Sequence, residues 1–255
     1  MEKNDKIVCT DIWKVFGPNE KNVLSNLDKT LSRSEVQEKT GHVVAVKDVT
    51  FSVQKGETFV VMGLSGSGKS TLLALISGTE IANVNWVGDI RLDGVDVGAL
   101  PAHRRQIGLM YQDALLFPHL TVGENLAFGL APSIRGKARY AAVQDALAAA
   151  SLDGFGQRDP ASLSGGQAAR IALMRALLAA PKALLMDEAF SALDPLIRTD
   201  MQEILLDLQA ELNKTIVFIT HDLDESLRLG DHLSLIHISE PTRPRLISYA
   251  VFCLK

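Results

Sequence analysis

The stretch Gly63-Leu64-Ser65-Gly66-Ser67-Gly68-Lys69-Ser70 has the spacing G-x-x-x-x-G-K-[ST]. Gly63, Gly66 and Gly68 allow successive backbone N–H groups to turn inward, and a helix that starts at Lys69 adds its positive end at the same place. Such a loop cradles phosphate. Lys69 then reaches the β- and γ-phosphates of a nucleotide, Ser65 lies on the loop, Ser70 can place its hydroxyl on Mg²⁺, and Thr71 serves the α-phosphate side. The motif follows a short apolar run and precedes a helical stretch, which is the context that its mechanism requires.

A second apolar run, Ala183-Leu184-Leu185-Met186, ends in Asp187-Glu188. Strand alternation sends the two carboxylates in different directions, so one can serve a metal and the other water. Mg²⁺ takes one or two carboxylates and keeps several waters, which suits Asp187, and Glu188 is then the candidate general base. Alone, an acidic pair after a strand reads as a solvated turn, and it is the phosphate loop that gives this pair a task. Leu163-Ser164-Gly165-Gly166-Gln167 precedes another helical stretch. Ser164 is an N-cap residue, and Gly165 and Gly166 permit close backbone approach, so this helix start can also meet phosphate.

These residues need elements to hold them. Ile7 to Val15 and Val43 to Val53 alternate β-branched with polar residues and predict strands, separated by a polar insert over 18–41 that suits a surface helix or a partly ordered excursion. Thr58 to Met62, Ala183 to Met186 and Thr215 to Ile219 read as buried parallel strands, each delivering polar residues at its C-terminal end, where open α/β sheets bind ligands. Helices are predicted over Lys69 to Ser77 and Gln167 to Leu178, and the segment 125–180, with its alanine-rich stretch Ala138 to Ala150, predicts a helical subdomain inserted into the sheet. A net charge of -4, from 26 basic and 30 acidic side chains, excludes a global field for nucleic acid or anionic lipid. No apolar run is long enough to span a bilayer and the first residues lack a secretory pattern, so a cytoplasmic chain is expected. Two cysteines, Cys9 and Cys253, make neither a disulfide framework nor a zinc site.

With Leu163 to Gln167 beside the loop and the acidic pair, the chain resembles the ATP-binding subunits of ABC transporters. The resemblance covers Ile7 to about Asp231 and implies an α/β fold of the ABC type of P-loop NTPase. That fold has a mainly parallel sheet core, an antiparallel β part and a helical subdomain over about 113–178. It also implies a head-to-tail dimer in which Ser164, Gly165, Gly166 and Gln167 close on the ATP held by the other subunit. Gln112 resembles the glutamine that contacts Mg²⁺ and the attacking water, although a glutamine after a short strand is otherwise a surface residue. Asp194, in Ser191-Ala192-Leu193-Asp194, resembles the loop facing the partner subunit, and reads equally well as a helix N-cap. His221 resembles the histidine that contacts the γ-phosphate, against a purely structural role. Phe16 is aligned with the aromatic that stacks on adenine, against a core phenylalanine. The cofactors implied are ATP and Mg²⁺. The implied partners are a second ATPase subunit, membrane permease subunits and, indirectly, a solute-binding protein, with the chain peripheral on the inner face of the cell membrane.

Glu188 to Arg198, Lys214 to Glu225 and the entry Trp13-Lys14-Val15-Phe16-Gly17-Pro18 resemble the glycine betaine/proline importer ATPases, including Ala189 where most ABC proteins carry proline. The middle, from about Gly88 to Lys182, is closer to another group of bacterial importer ATPases, and the betaine group often has Met where Gln167 stands. A natural mosaic and a join of two related genes both fit. An importer for another solute, a soluble ABC ATPase without a transport role, and an inert fragment are the competing functions. Residues 1–232 are expected to form the ATPase domain, cut short near Asp231. Residues 233–255 read as translated sequencing adapter, without a selected place in the fold even where Leu233 to Ile238 mimics an edge strand.

Overall fold

A computed structural model describes residues 4–17, 24, 31–64, 66–79, 86–236 and 249–253. The chain divides into two compact units, Met1–Arg105 with Ile219–Lys255, and Gln106–Phe218.

The first unit opens with β1 (Asp5–Phe16), α1 (Arg33–Thr40) and β2 (Val43–Gln54), followed by β3 (Thr58–Met62), α2 (Lys69–Ser77), β4 (Trp86–Leu92), β5 (Val95–Asp96) and the single turn α3 (Ala102–Arg105). The sheet β2-β1-β4-β5 is antiparallel, with Lys14 opposite Val46 on one side and Trp86 on the other. In β2 the buried positions change phase, from Val44 and Val46 to Val49, Phe51 and Val53. A bulge explains the change: Asp48 and Asp11 both adopt positive φ, and Asp11 N–H donates to Thr50 Oγ1 at 2.9 Å. The polar insert contributes α1, closed by a Ser32–Glu35 capping box, with Val36 buried against Trp13, Val15 and Val44. Residues 18–23 and 25–30 of that insert lie outside the described residues.

Leu72, Leu73, Leu75 and Ile76 bury α2, whose start carries the phosphate-loop lysine. Its far end is held by Arg105, which is 2% exposed and donates to Leu75 O, Ile76 O, Gly98 O and Leu100 O at 2.5–2.9 Å. A guanidinium at a helix C-terminus satisfies carbonyls that have no helical partner and meets the negative end of the dipole. Burial lowers the Arg105 pKa while Asp96 opposes the shift. We expect Arg105→Leu to cost about 3 kcal/mol, because charged hydrogen bonds are lost and two helix carbonyls stay buried. Urea unfolding of the pair checks this, and an unchanged midpoint would show that the arginine is not needed there.

The second unit comprises β6 (Ile107–Met110), α4 (Val122–Gly129), α5 (Gly136–Ala149), α6 (Gly165–Leu178), β7 (Ala183–Asp187), α7 (Pro195–Leu212) and most of β8 (Thr215–Thr220). Its strands run in the order β8-β7-β6, with β6 and β7 parallel and Met110 opposite Met186. The expected helical subdomain takes shape in α4, α5 and α6, which pack Val122, Leu126, Leu147, Ile171 and Met174 into one core. Gly129 lets α4 approach α6 closely, since a Cβ there would stand 2.3 Å from Arg175 O.

The chain returns to the first unit through α8 (Leu223–Leu229), β9 (His232–Ile236) and β10 (Tyr249–Cys253). β9 runs parallel to β3, pairing Val60 with Leu233 and Met62 with Leu235, and β10 is antiparallel to β9. The first residues of the adapter-like segment therefore form a strand, and residues 237–248, 254 and 255 lie outside the described residues.

Candidate functional site

In the first unit, β3 runs directly into the phosphate loop. Gly66 and Gly68 adopt φ of +78° and +86°, a region that costs other residues, and Ser65 lies outside the described residues. The loop sits tightly: a Cβ on Gly68 would stand 2.1 Å from Ala45 O of β2. Lys69 is the first residue of α2 and is 5% exposed, its Nζ donating to Gly63 O at 2.7 Å and Leu64 O at 2.9 Å. Ser70 is exposed and Thr71 half-buried on the same first turn. A buried ammonium beside the positive end of a helix concentrates positive potential at one point, the requirement of a phosphate group.

Two further predicted residues belong to this unit. Phe16, at the end of β1, is 41% exposed, which removes the core-phenylalanine alternative. The ammonium of the fully buried Lys14 lies 4.3 Å from its ring centroid. His221 is exposed in the step between β8 and α8. Burial, reinforced by the charge of Asp89, pushes the Cys9 thiol far above its ordinary value, so it stays unreactive.

In the second unit, Asp187 ends β7 and Glu188 follows it with φ +48°. A glutamate in the left-handed region is a strained position, and such positions gather at functional sites. Its carbonyl accepts from Ser191 N–H at 3.0 Å and Ser191 Oγ at 2.8 Å, which closes the turn. Arg198 staples the same segment by donating to Phe190 O and Ser191 O. Gln112 is exposed just beyond β6. Asp194 occupies the N-cap of α7, yet its side chain makes no cap hydrogen bond, leaving the carboxylate exposed.

The segment Ser164 to Gln167 starts α6 one residue pair earlier than the sequence suggested, because Ser164 and Gln167 form a complete capping box. Ser164 Oγ accepts from Gln167 N–H at 3.3 Å, and Gln167 Oε1 accepts from Ser164 N–H at 3.0 Å. The two glycines differ. A Cβ on Gly165 would meet nothing nearer than 3.8 Å, whereas one on Gly166 would stand 2.3 Å from Ile197 Cγ2. Gly166 thus lets α6 begin against α7, and the segment lies beside the loop that ends at Asp194.

A model of the ABC transporter family matches residues 46–191, from β2 through the phosphate loop, the Ser164 segment and the acidic pair. The chain belongs to the ABC transporter family. Over 242 residues it is 41% identical to the glycine betaine/proline betaine transport system ATP-binding protein ProV of Escherichia coli K12, covering 92% of this chain and 60% of ProV. It is 43% identical over 240 residues to the glycine betaine/carnitine transport ATP-binding protein GbuA of Listeria monocytogenes, covering 91% of this chain and 59% of GbuA. The chain thus spans about 60% of the length of these curated relatives. Among solved structures it is similar to the ATP-binding cassette MJ0796, described as a dimeric post-hydrolysis state bound to ADP and Pi. That likeness has a TM-score of 0.74 and 26% identity, and covers 98% of this chain and 99% of the other.

Sequence reading missed Arg105 and Arg198, which bond to backbone carbonyls. Their signal is weak, since arginines near helix ends are usually solvated. The oxygens expected to serve a cation, the Ser70 hydroxyl, the Gln112 amide and the Asp187 carboxylate, are hard ligands of the kind Mg²⁺ takes.

Proposed function

We propose that this chain binds and hydrolyses ATP as the nucleotide-binding subunit of an ABC importer for glycine betaine or a similar compatible solute. The observation that carries the reading is the buried Lys69 at the start of α2, bonded to Gly63 O and Leu64 O behind two left-handed glycines. Phe16 stacks on adenine, and the loop N–H groups with Lys69 hold the phosphates. Ser70, Gln112 and Asp187 hold Mg²⁺, which neutralises phosphate charge when bound. Glu188 takes the proton of the attacking water, and His221 steadies the γ-phosphate end. Ser164 to Gln167 and Asp194 serve a second subunit in a head-to-tail dimer. The helical part of the second unit docks on the permease at the inner face of the membrane, with exposed Leu115 and Phe128 in its surface. No described helix is long and apolar enough to cross a membrane. The named relatives support the solute class.

Turnover of MgATP by the purified chain tests the enzymatic part. Activity per chain should rise with chain concentration, as a shared site demands, and a folded chain without turnover in excess MgATP would overturn it. Uptake of labelled glycine betaine by vesicles carrying the cognate permease tests the solute.

We also propose that residues 1–232 form the ATPase domain and that 233–255 was not selected for its place. Ser234 supports this: it is 1% exposed in β9, and its hydroxyl has no hydrogen-bond partner among the described residues. Backbone pairing with β3 asks nothing of side-chain identity, whereas a selected strand rarely buries an unpaired hydroxyl. Ser234→Ala should therefore raise stability by about 1 kcal/mol. A lowered denaturation midpoint would show that the hydroxyl is used.

A further inference from the structure

We propose that Thr220 and Glu225 form a latch that fixes the backbone on both sides of His221, making them positioning residues for it. Thr220 is the last residue of β8 and is 2% exposed. Its hydroxyl donates to Glu225 Oε2 at 2.5 Å and accepts from Asp222 N–H at 3.0 Å. The second bond spans His221 and closes a small ring around it, a Ser/Thr-type turn. A hydroxyl has one hydrogen to give. Because the Glu225 carboxylate takes it, a lone pair is left facing Asp222 N–H, so the acid sets the hydroxyl's orientation as well as its position.

Capping does not account for Glu225. The Asp222 carboxylate already caps α8, accepting from Asp224 N–H at 2.9 Å and Glu225 N–H at 3.2 Å. Glu225 is 3% exposed, and burying an acid is costly unless its bonds are put to use. Here the acid holds a buried strand end to a helix while the residue between them, His221, stays exposed. A side chain that must meet a phosphate within a few tenths of an ångström needs its backbone held in place.

The latch rests on the reading of His221 as a γ-phosphate contact. The experiment uses the whole chain and compares Thr220→Val, Thr220→Ser, Glu225→Leu and His221→Ala. It measures kcat and KM for MgATP, and hydrogen exchange of the Asp222 amide. Thr220→Val should lower kcat by about 10–100-fold with KM within about 3-fold, the scale of a catalytic group displaced by an ångström. The Asp222 amide should exchange at least about 10-fold faster while Val217 and Phe218 in β8 keep their protection, as a local opening requires. Thr220→Ser should restore both, and Thr220→Val should add nothing in the His221→Ala background. Unchanged turnover and exchange in Thr220→Val would overturn the latch, and so would full additivity with His221→Ala. If Thr220→Val does not fold, Glu225→Leu, which leaves no acceptor for the Thr220 hydroxyl, decides the matter by the same two measurements, with faster Asp222 exchange expected and unchanged exchange overturning it. Wild-type turnover in His221→Ala would remove the γ-phosphate reading and the latch with it. An inactive His221→Ala beside fully active latch variants would sink the latch alone.

Discussion

Glu188→Gln should lower ATP turnover by about 10²–10⁴-fold, the usual contribution of a positioned general base, while ATP affinity stays within about 3-fold. The substitution is close to isosteric and removes only the ability to accept a proton. The local fold should tolerate it. Position 188 holds φ +48°, and its turn is closed through its backbone carbonyl to Ser191, so glutamine keeps both the strain and the bonds that offset it. Loss of rate can then be read as loss of base chemistry. The check is single-turnover hydrolysis beside equilibrium titration with MgATP. Wild-type turnover would remove Glu188 from the role, and equal loss of affinity would point to a structural part instead.

Much of this arrangement was legible because its signals are local. β3 and α2 run over the residues expected from the sequence, Thr58–Met62 and Lys69–Ser77, since a short apolar run, a glycine loop and a helix-forming stretch leave few alternatives. The parallel strand Ala183–Asp187 and the helices after Val122 follow the same logic. The illegible parts depend on residues distant in sequence. Nothing near Arg105 says that it will cap α2, nor does anything near Gly166 announce the Ile197 methyl that a Cβ would strike. The phase change in β2 comes with a bulge in which Asp48, and Asp11 on β1, are left-handed, a conformation that short polar side chains tolerate but do not demand. Among the candidate residues, types and spacing singled out Lys69, Asp187 and Glu188. The strain at Glu188 and the latch beside His221 needed coordinates, because a φ value and a hydroxyl's two bonds leave no pattern in the sequence.

The second large effect is expected for Gly68→Ala, the smallest possible change to the phosphate loop. Two separate costs fall on that position. The backbone holds φ +86°, where an L-residue is penalised by about 1–2 kcal/mol. The added methyl would also stand 2.1 Å from Ala45 O. That oxygen belongs to the backbone of β2, which is held in register with β1 through Val15–Val44 and Lys14–Val46, so it has little room to retreat. The loop must move instead. Lys69 follows Gly68 directly, and its bonds to Gly63 O and Leu64 O require the loop to keep its present curvature. Displacing the loop by about an ångström would misaim several N–H groups at once, and positioned groups lose about 100-fold for such an error. MgATP affinity should therefore fall by about 100-fold or more, with a loss of stability of about 2 kcal/mol from strain alone. Titration with MgATP and thermal unfolding of the nucleotide-free chain separate the two effects. A folded Gly68→Ala chain that binds ATP as tightly as the parent would show that the loop does not grip phosphate through this curvature.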